Sequence, residues 1–126
     1  MTMNTRTAGQ ILGIVFVLVG ILGFVQNPIV SPTGLFVVNS AHNIVHLLSG
    51  AVILAGVYSF GAGLGLKIVG VVYAIVAILG LVMGGNMLLG LIAVNAADHW
   101  LHVVLAAAIL LAGFALPDDG ESPATV

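Results

Sequence analysis

A chain of 126 residues that is 61% hydrophobic and 5% charged lies far from soluble domains, in which about a quarter of residues are charged. Its mean hydropathy of +1.31 puts it in a bilayer. The net charge of -2 comes mostly from Asp118, Asp119 and Glu121 near the C-terminal end, which gives no footing for nucleic acid, and the absence of cysteine removes disulfides, thiolate ligands and a cysteine nucleophile.

After a polar start that includes Arg6, the apolar run 8–25 is longer than the ~7 to 15 residues of a signal-peptide core and predicts a first spanning helix. Gln26, Asn27, Pro28, Ser31, Pro32, Thr33 and Gly34 are turn formers that end it at the surface. Residues 35–38 are apolar but too short to span, and read as an interfacial lead-in. Asn39 is a good N-cap, and residues 40–59 predict a second helix of about 30 Å rise, one hydrocarbon core. Gly61, Gly63 and Gly65 make the next turn. A third helix is expected over 66–83, closed by Gly84, Gly85 and Asn86, and a second apolar lead-in occupies 87–94. Asn95 caps a fourth helix over 96–115, Pro117 stops it, and 118–126 is expected to be a flexible tail. The expected fold is a single all-α integral membrane domain over 1–126, a four-transmembrane-helix up-down bundle.

Arg6 and Lys67, the two cations, fall on the same side of such a bundle. The positive-inside rule makes that side cytoplasmic, so the expectation is a multi-pass protein of the inner (cell) membrane with both termini in the cytoplasm. Trp100 and Tyr58, near helix ends, read as interfacial anchors.

The chain also repeats itself. GIVFVLVGILGFV at 13–25 aligns with GVVYAIVAILGLV at 70–82, and GLFVVNSAHNIVH at 34–46 with GLIAVNAADHWLH at 90–102. This predicts a duplicated two-helix hairpin. Each unit contains two spans, so the copies cross in the same direction, related by a pseudo-two-fold axis along the membrane normal. The pairs Asn39 with Asn95, His42 with Asp98, and His46 with His102 then lie at matching depths.

Asn39, His42 and His46 stand at i, i+3 and i+7, one stripe of one helix, and Asn95, Asp98 and His102 repeat it. His99 flanks the second stripe. Titratable groups at this depth avoid lipid and turn toward the bundle axis, so His46 should face His102 and His42 should face Asp98. At ~1.5 Å per residue the two deeper histidines lie roughly 10 Å below their caps, in the outer leaflet, where a polar cavity open to the outside would fit.

GLFVVNSAHNIVHLLSG together with VNAADHWLHVVLAAAILLAG resembles a family of small bacterial four-helix membrane proteins, domain of unknown function 4383. The resemblance spans nearly the whole chain and is carried by HNxVHLxxG and NxxDxWLH. It implies the fold and the membrane location, and brings no activity with it. In the family pattern the position of His99 is more usually asparagine, as at Asn43 in the first copy, so His99 is the weakest member of any site.

Four readings of the cluster compete. First comes a structural network of His42, His46, Asp98, His102, Asn39 and Asn95 that sets the register of the second and fourth helices. A transition-metal site follows, with His42, His46, Asp98, His102 and His99 as candidate ligands. Next is haem b, with His46 and His102 as axial ligands on diagonal helices. Last is an accessory, small transport or proton-transfer role in a larger membrane complex. Catalysis is the weaker expectation, because no nucleophile with a base is evident. Small-residue spacings such as Gly9 with Gly13 and Gly80 with Gly84 suit internal helix packing, or else a homo-oligomer.

Overall fold

The fold was derived as a computed structural model, in which residues 2–119 are described. Helix α1 covers Thr5–Leu22. It begins ahead of the apolar run because Asn4 caps it, its side chain accepting from the Thr7 N–H at 2.8 Å. Helix α2 covers Ser40–Ala55 and runs into a π-helical turn, Gly56–Phe60. Helix α3 covers Ala62–Met83 and α4 covers Ala96–Ala115. These four helices, counting α2 with its π turn, have 18, 21, 22 and 20 residues and are long and apolar enough to cross a membrane, for which about 20 residues are needed.

The two apolar lead-ins differ from their expected form. Strands β1 (Val30–Ser31) and β2 (Phe36–Val37) pair with each other, as do β3 (Met87–Leu88) and β4 (Ile92–Ala93). The first pair is tied by Asn27, whose Oδ1 accepts from the N–H groups of Ile29 and Val30 while its Nδ2 donates to the Val25 carbonyl. The second pair is joined by a three-residue connection, 89–91, that turns at Leu89 and Gly90, both at positive φ (54° and 67°), with the Leu91 N–H donating to the Leu88 carbonyl at 3.1 Å. Short paired strands satisfy backbone groups that an unpaired apolar lead-in would bring bare to the membrane interface.

α1 packs closely on α2, and α3 on α4. The approach depends on glycine: a Cβ at Gly50 would lie 2.8 Å from the Gly13 carbonyl oxygen, and one at Gly70 would lie 2.8 Å from the Leu110 side chain. The widened end of α2 has the same cause, since a Cβ at Gly56 would meet the Gly61 carbonyl at 2.8 Å and the Gly65 backbone at 3.0 Å. Phe16, Ile53, Leu66, Val69, Tyr73 and Ile109 fill the middle of the bundle.

One end of the bundle gathers both cations. Arg6, Lys67, Asp118 and Asp119 all line an open hollow of about 640 Å³. There the Thr5 N–H donates to the Pro117 carbonyl at 3.0 Å and the Thr5 hydroxyl to Asp118 at 2.9 Å. Arg6 meets Asp119 at 3.5 Å. The first two residues of the expected flexible tail are therefore held against the start of α1; residues 120–126 lie outside those described.

Candidate metal centre

At the opposite end, the first turns of α2 and α4 carry a buried polar layer. Asn39 caps α2 by accepting from the His42 N–H at 2.9 Å, and Asn95 caps α4 by accepting from the Asp98 N–H at 3.0 Å. The other end of each amide crosses the molecule. Asn39 Nδ2 donates to the Leu91 carbonyl at 2.9 Å, and Asn95 Nδ2 donates to the Leu35 carbonyl at 2.8 Å. Serine or aspartate would cap as well, but only an amide side chain accepts at one atom and donates at the other. The residue type follows from the double task.

His42 and Asp98 were expected to face each other, and they do not pair: among the described residues no ion pair joins them. Asp98 stands three residues after its cap and reaches back, its Oδ2 accepting from the Asn95 N–H at 2.9 Å to complete a capping box. His42 places Nδ1 2.6 Å from the Ala93 carbonyl oxygen. A carbonyl only accepts, so Nδ1 carries the proton, and in a neutral imidazole Nε2 is then left with a free lone pair. Both side chains are spent on backbone: Asp98 through an i, i+3 capping box, and His42 on a carbonyl 51 residues away that no helical spacing could have indicated.

His46 and His102 do come together, and His42 joins them. The three offer ring nitrogens that all lie within 4.8 Å of one another, and the residues are 2%, 7% and 3% exposed in the order His42, His46, His102. The His42 ring centroid is 4.5 Å from that of His46 and 5.7 Å from that of His102. Beneath them Phe16 and Tyr73 form a floor: Phe16 lies 6.0 Å from His46, Tyr73 5.7 Å from His102, and the two rings pack edge to face at 5.1 Å. Ser49 donates to the Val45 carbonyl at 2.7 Å. Its oxygen is thus free to accept from the Tyr73 hydroxyl 3.1 Å away.

Asp98 and His99 stand apart from the three. Asp98 lines the same cavity as His46 and His102, with its carboxylate engaged by the backbone at Asn95 and Val37. His99 packs on Gly80 of α3, where a Cβ would collide with the imidazole. Asn43 packs in the same way on Gly23, just past α1. Sequence reasoning singled out neither Asn43 nor the Tyr73–Ser49 pair. A signal for the first existed, since Gly23 and Gly80 are matched in the two copies, as Asn43 and His99 are.

Among the described residues, the Nδ1 atoms of His46 and His102 are buried without a hydrogen-bond partner, as are His99 Nε2 and Asn43 Oδ1. Three neutral imidazoles suit a borderline divalent ion such as Zn²⁺. Metal–nitrogen bonds of ~2.0 to 2.1 Å set neighbouring ligand atoms about 3.3 Å apart in a tetrahedral site, so the trio is open by no more than a side-chain adjustment. A cavity of about 160 Å³ adjoins His46 and His102 between α1 and α4. Apart from Asp98, its remaining lining, Leu12, Val15, Phe16, Val19, Val30, Phe36, Leu101 and Leu105, is hydrocarbon, in place of the polar outward-facing cavity expected from depth alone.

Residues 6–115 match the sequence profile of the domain of unknown function DUF4383. The chain belongs to that family. In this DUF4383 protein the matched span takes in the whole polar layer, with Asn39, His42, His46, Asn95, Asp98 and His102 all inside it. No curated protein and no solved structure matches the chain.

Proposed function

We propose that this DUF4383 protein is a small multi-pass membrane protein that binds one divalent transition-metal ion on His42, His46 and His102 in the outer leaflet. The carrying observation is the convergence of three buried ring nitrogens, one of them oriented by a backbone carbonyl. Metal-ligating histidines commonly donate their other N–H to such a carbonyl, which fixes the tautomer. Asn39, Asn95 and Asp98 form the clasp that holds the helix ends around the ion.

A purely structural network ranked first from the sequence, and it now explains less. Its logic requires partners, because an unpaired polar group in an apolar interior costs roughly 1 to 3 kcal/mol. The capping asparagines and Asp98 have partners; His46 Nδ1 and His102 Nδ1 do not. Haem b fits poorly: the 160 Å³ cavity is below the ~300 Å³ at which drug-sized ligand pockets begin, and a porphyrin needs more.

In the same reading the chain is a duplicated hairpin whose copies clasp each other. Supporting this are the reciprocal bonds Asn39 to Leu91 and Asn95 to Leu35, together with the matched burial of Val38 and Val94, each 1% exposed. Arg6 and Lys67 at one end make that end cytoplasmic, with both termini, and the histidines then face the outer side of the inner membrane. A homo-oligomer or larger complex remains an expectation about its partners.

Cobalt substitution tests the site. Metal-free protein in detergent should take up one Co²⁺ per chain and develop the visible ligand-field bands of a nitrogen-rich tetrahedral site, with no Soret band in the protein as purified. Absence of those bands at saturating cobalt would sink the metal reading.

A further inference from the structure

The 160 Å³ cavity has a counterpart in the other half of the molecule. Between α2 and α3 lies a space of about 20 Å³, lined in part by His42, Val45, Tyr73, Val76 and Ile92. In the aligned copies these positions correspond to Asp98, Leu101, Phe16, Val19 and Phe36, all of which line the larger cavity. The rest of the equivalent wall, Val45, Ser49, Val69 and Val72, lines a separate open hollow of about 200 Å³ that no histidine lines, so the two halves differ in whether the larger space reaches the histidines. Chemistry differs with them. On the small side Tyr73 is pinned to Ser49; on the large side the same two positions are Phe16 and Leu105, which cannot form that bond.

We propose that the cavity between α1 and α4 is a binding site for a small apolar molecule dissolved in the bilayer, in the size range from dioxygen to benzene, which it brings against His46 and His102. A dry apolar cavity of about 150 Å³ in an unrelated protein binds xenon or benzene. Here the space is of that size, and its polar groups are confined to His46, His102 and Asp98. α1 and α4 pack on each other far more loosely than α1 on α2 or α3 on α4, so the route in lies sideways. Val15, 46% exposed, forms part of the lining and also faces lipid. Val30 and Phe36, from β1 and β2, add apolar walls from the connecting segment. An ion or a sugar gains nothing from such walls, and an acyl chain that filled the space would bury its end against two imidazoles and a carboxylate. What the occupant meets at the histidines rests on the metal reading; the cavity itself does not.

Xenon is the probe. In metal-free protein in lipid nanodiscs, xenon pressure should shift the methyl NMR signals of Leu12, Val15, Val19, Leu101 and Leu105 saturably, and leave those of Val76 unmoved. Leu105→Phe, which fills the space from α4, should weaken xenon binding at least tenfold; Val19→Phe, filling it from α1, should do the same if the first variant fails to fold. Shifts that are absent, or spread evenly over lipid-facing methyls, overturn the proposal. So does saturable binding seen in short-chain detergent and lost in nanodiscs, which would make a lipid acyl chain the occupant. A parallel zinc titration keeps the two claims apart: xenon binding without a zinc response at the histidine rings leaves the small-molecule site standing and removes the metal, and the converse leaves the metal site and removes this one.

Discussion

The two ends of the bundle both carry polar groups, and they use them in opposite ways. At the Arg6 end the groups are wet: the Arg6 and Asp119 side chains are 42% and 58% exposed and meet at 3.5 Å, where an ion pair contributes about 0 to 1 kcal/mol. At the histidine end every one of His42, His46, Asp98 and His102 is at least nine-tenths buried, so each must be satisfied or cost energy. Burial decides what a polar residue does here. The wet end carries both cations; the dry end ties the starts of α2 and α4 to the connecting segments and leaves ring nitrogens without partners among the described residues.

The contrast can be broken first at the glycines beneath the dry layer. Gly80→Ala would drive a methyl into His99 and Gly23→Ala into Asn43, and overpacking of this kind costs about 1 to 3 kcal/mol. Thermal unfolding in detergent should show both losses; unchanged midpoints would mean that His99 and Asn43 are loosely held and that the layer is less dry than described. The caps come next. Asn95→Ala gives up a helix cap worth ~1 kcal/mol and a cross-bundle bond worth roughly 0.6 kcal/mol, whereas Asn95→Asp keeps the cap and loses only the donor to Leu35. The aspartate variant should therefore unfold between wild type and alanine. Equal losses would show that the crossing bond to Leu35, not the cap, holds this corner.

Smaller effects test the floor and the wet end. Tyr73→Phe deletes the bond to Ser49 at a cost near 0.6 kcal/mol, the average for interhelical bonds in a membrane, and should leave metal uptake intact because the hydroxyl is engaged with Ser49. Loss of metal in that variant would bring Tyr73 into the site. Arg6→Ala should change stability by less than about 0.5 kcal/mol, an effect that added salt erases in wild type as well; a larger one would mean that Arg6 is buried in the membrane-bound protein.

Much of this arrangement was legible in the residues. Composition and length called for four spans, and the i, i+3, i+7 stripes brought His46 and His102 to one place, since a helix puts those positions on one face. Both asparagine caps were readable because capping is a local bond three residues long. What spacing cannot show is a partner without a side-chain signature. The Ala93 and Leu35 carbonyls are ordinary backbone, yet they take His42 Nδ1 and Asn95 Nδ2, and so the expected His42–Asp98 contact gave way. The strand pairs were hidden for a related reason: two-residue strands are too short for a period-2 pattern to emerge. The asymmetric cavity came from volumes, which an alignment of the two copies records only as Phe16 against Tyr73 and Leu105 against Ser49.

The central claim, that three converging histidines hold a metal ion, is tested most directly by calorimetric zinc titration of the metal-free protein and its single variants. Wild type should bind one Zn²⁺ per chain, His42→Ala, His46→Ala and His102→Ala should each weaken binding at least tenfold, and His99→Ala should bind as wild type does. Zinc binding that survives loss of all three histidines, or none in a folded wild-type protein, would contradict it.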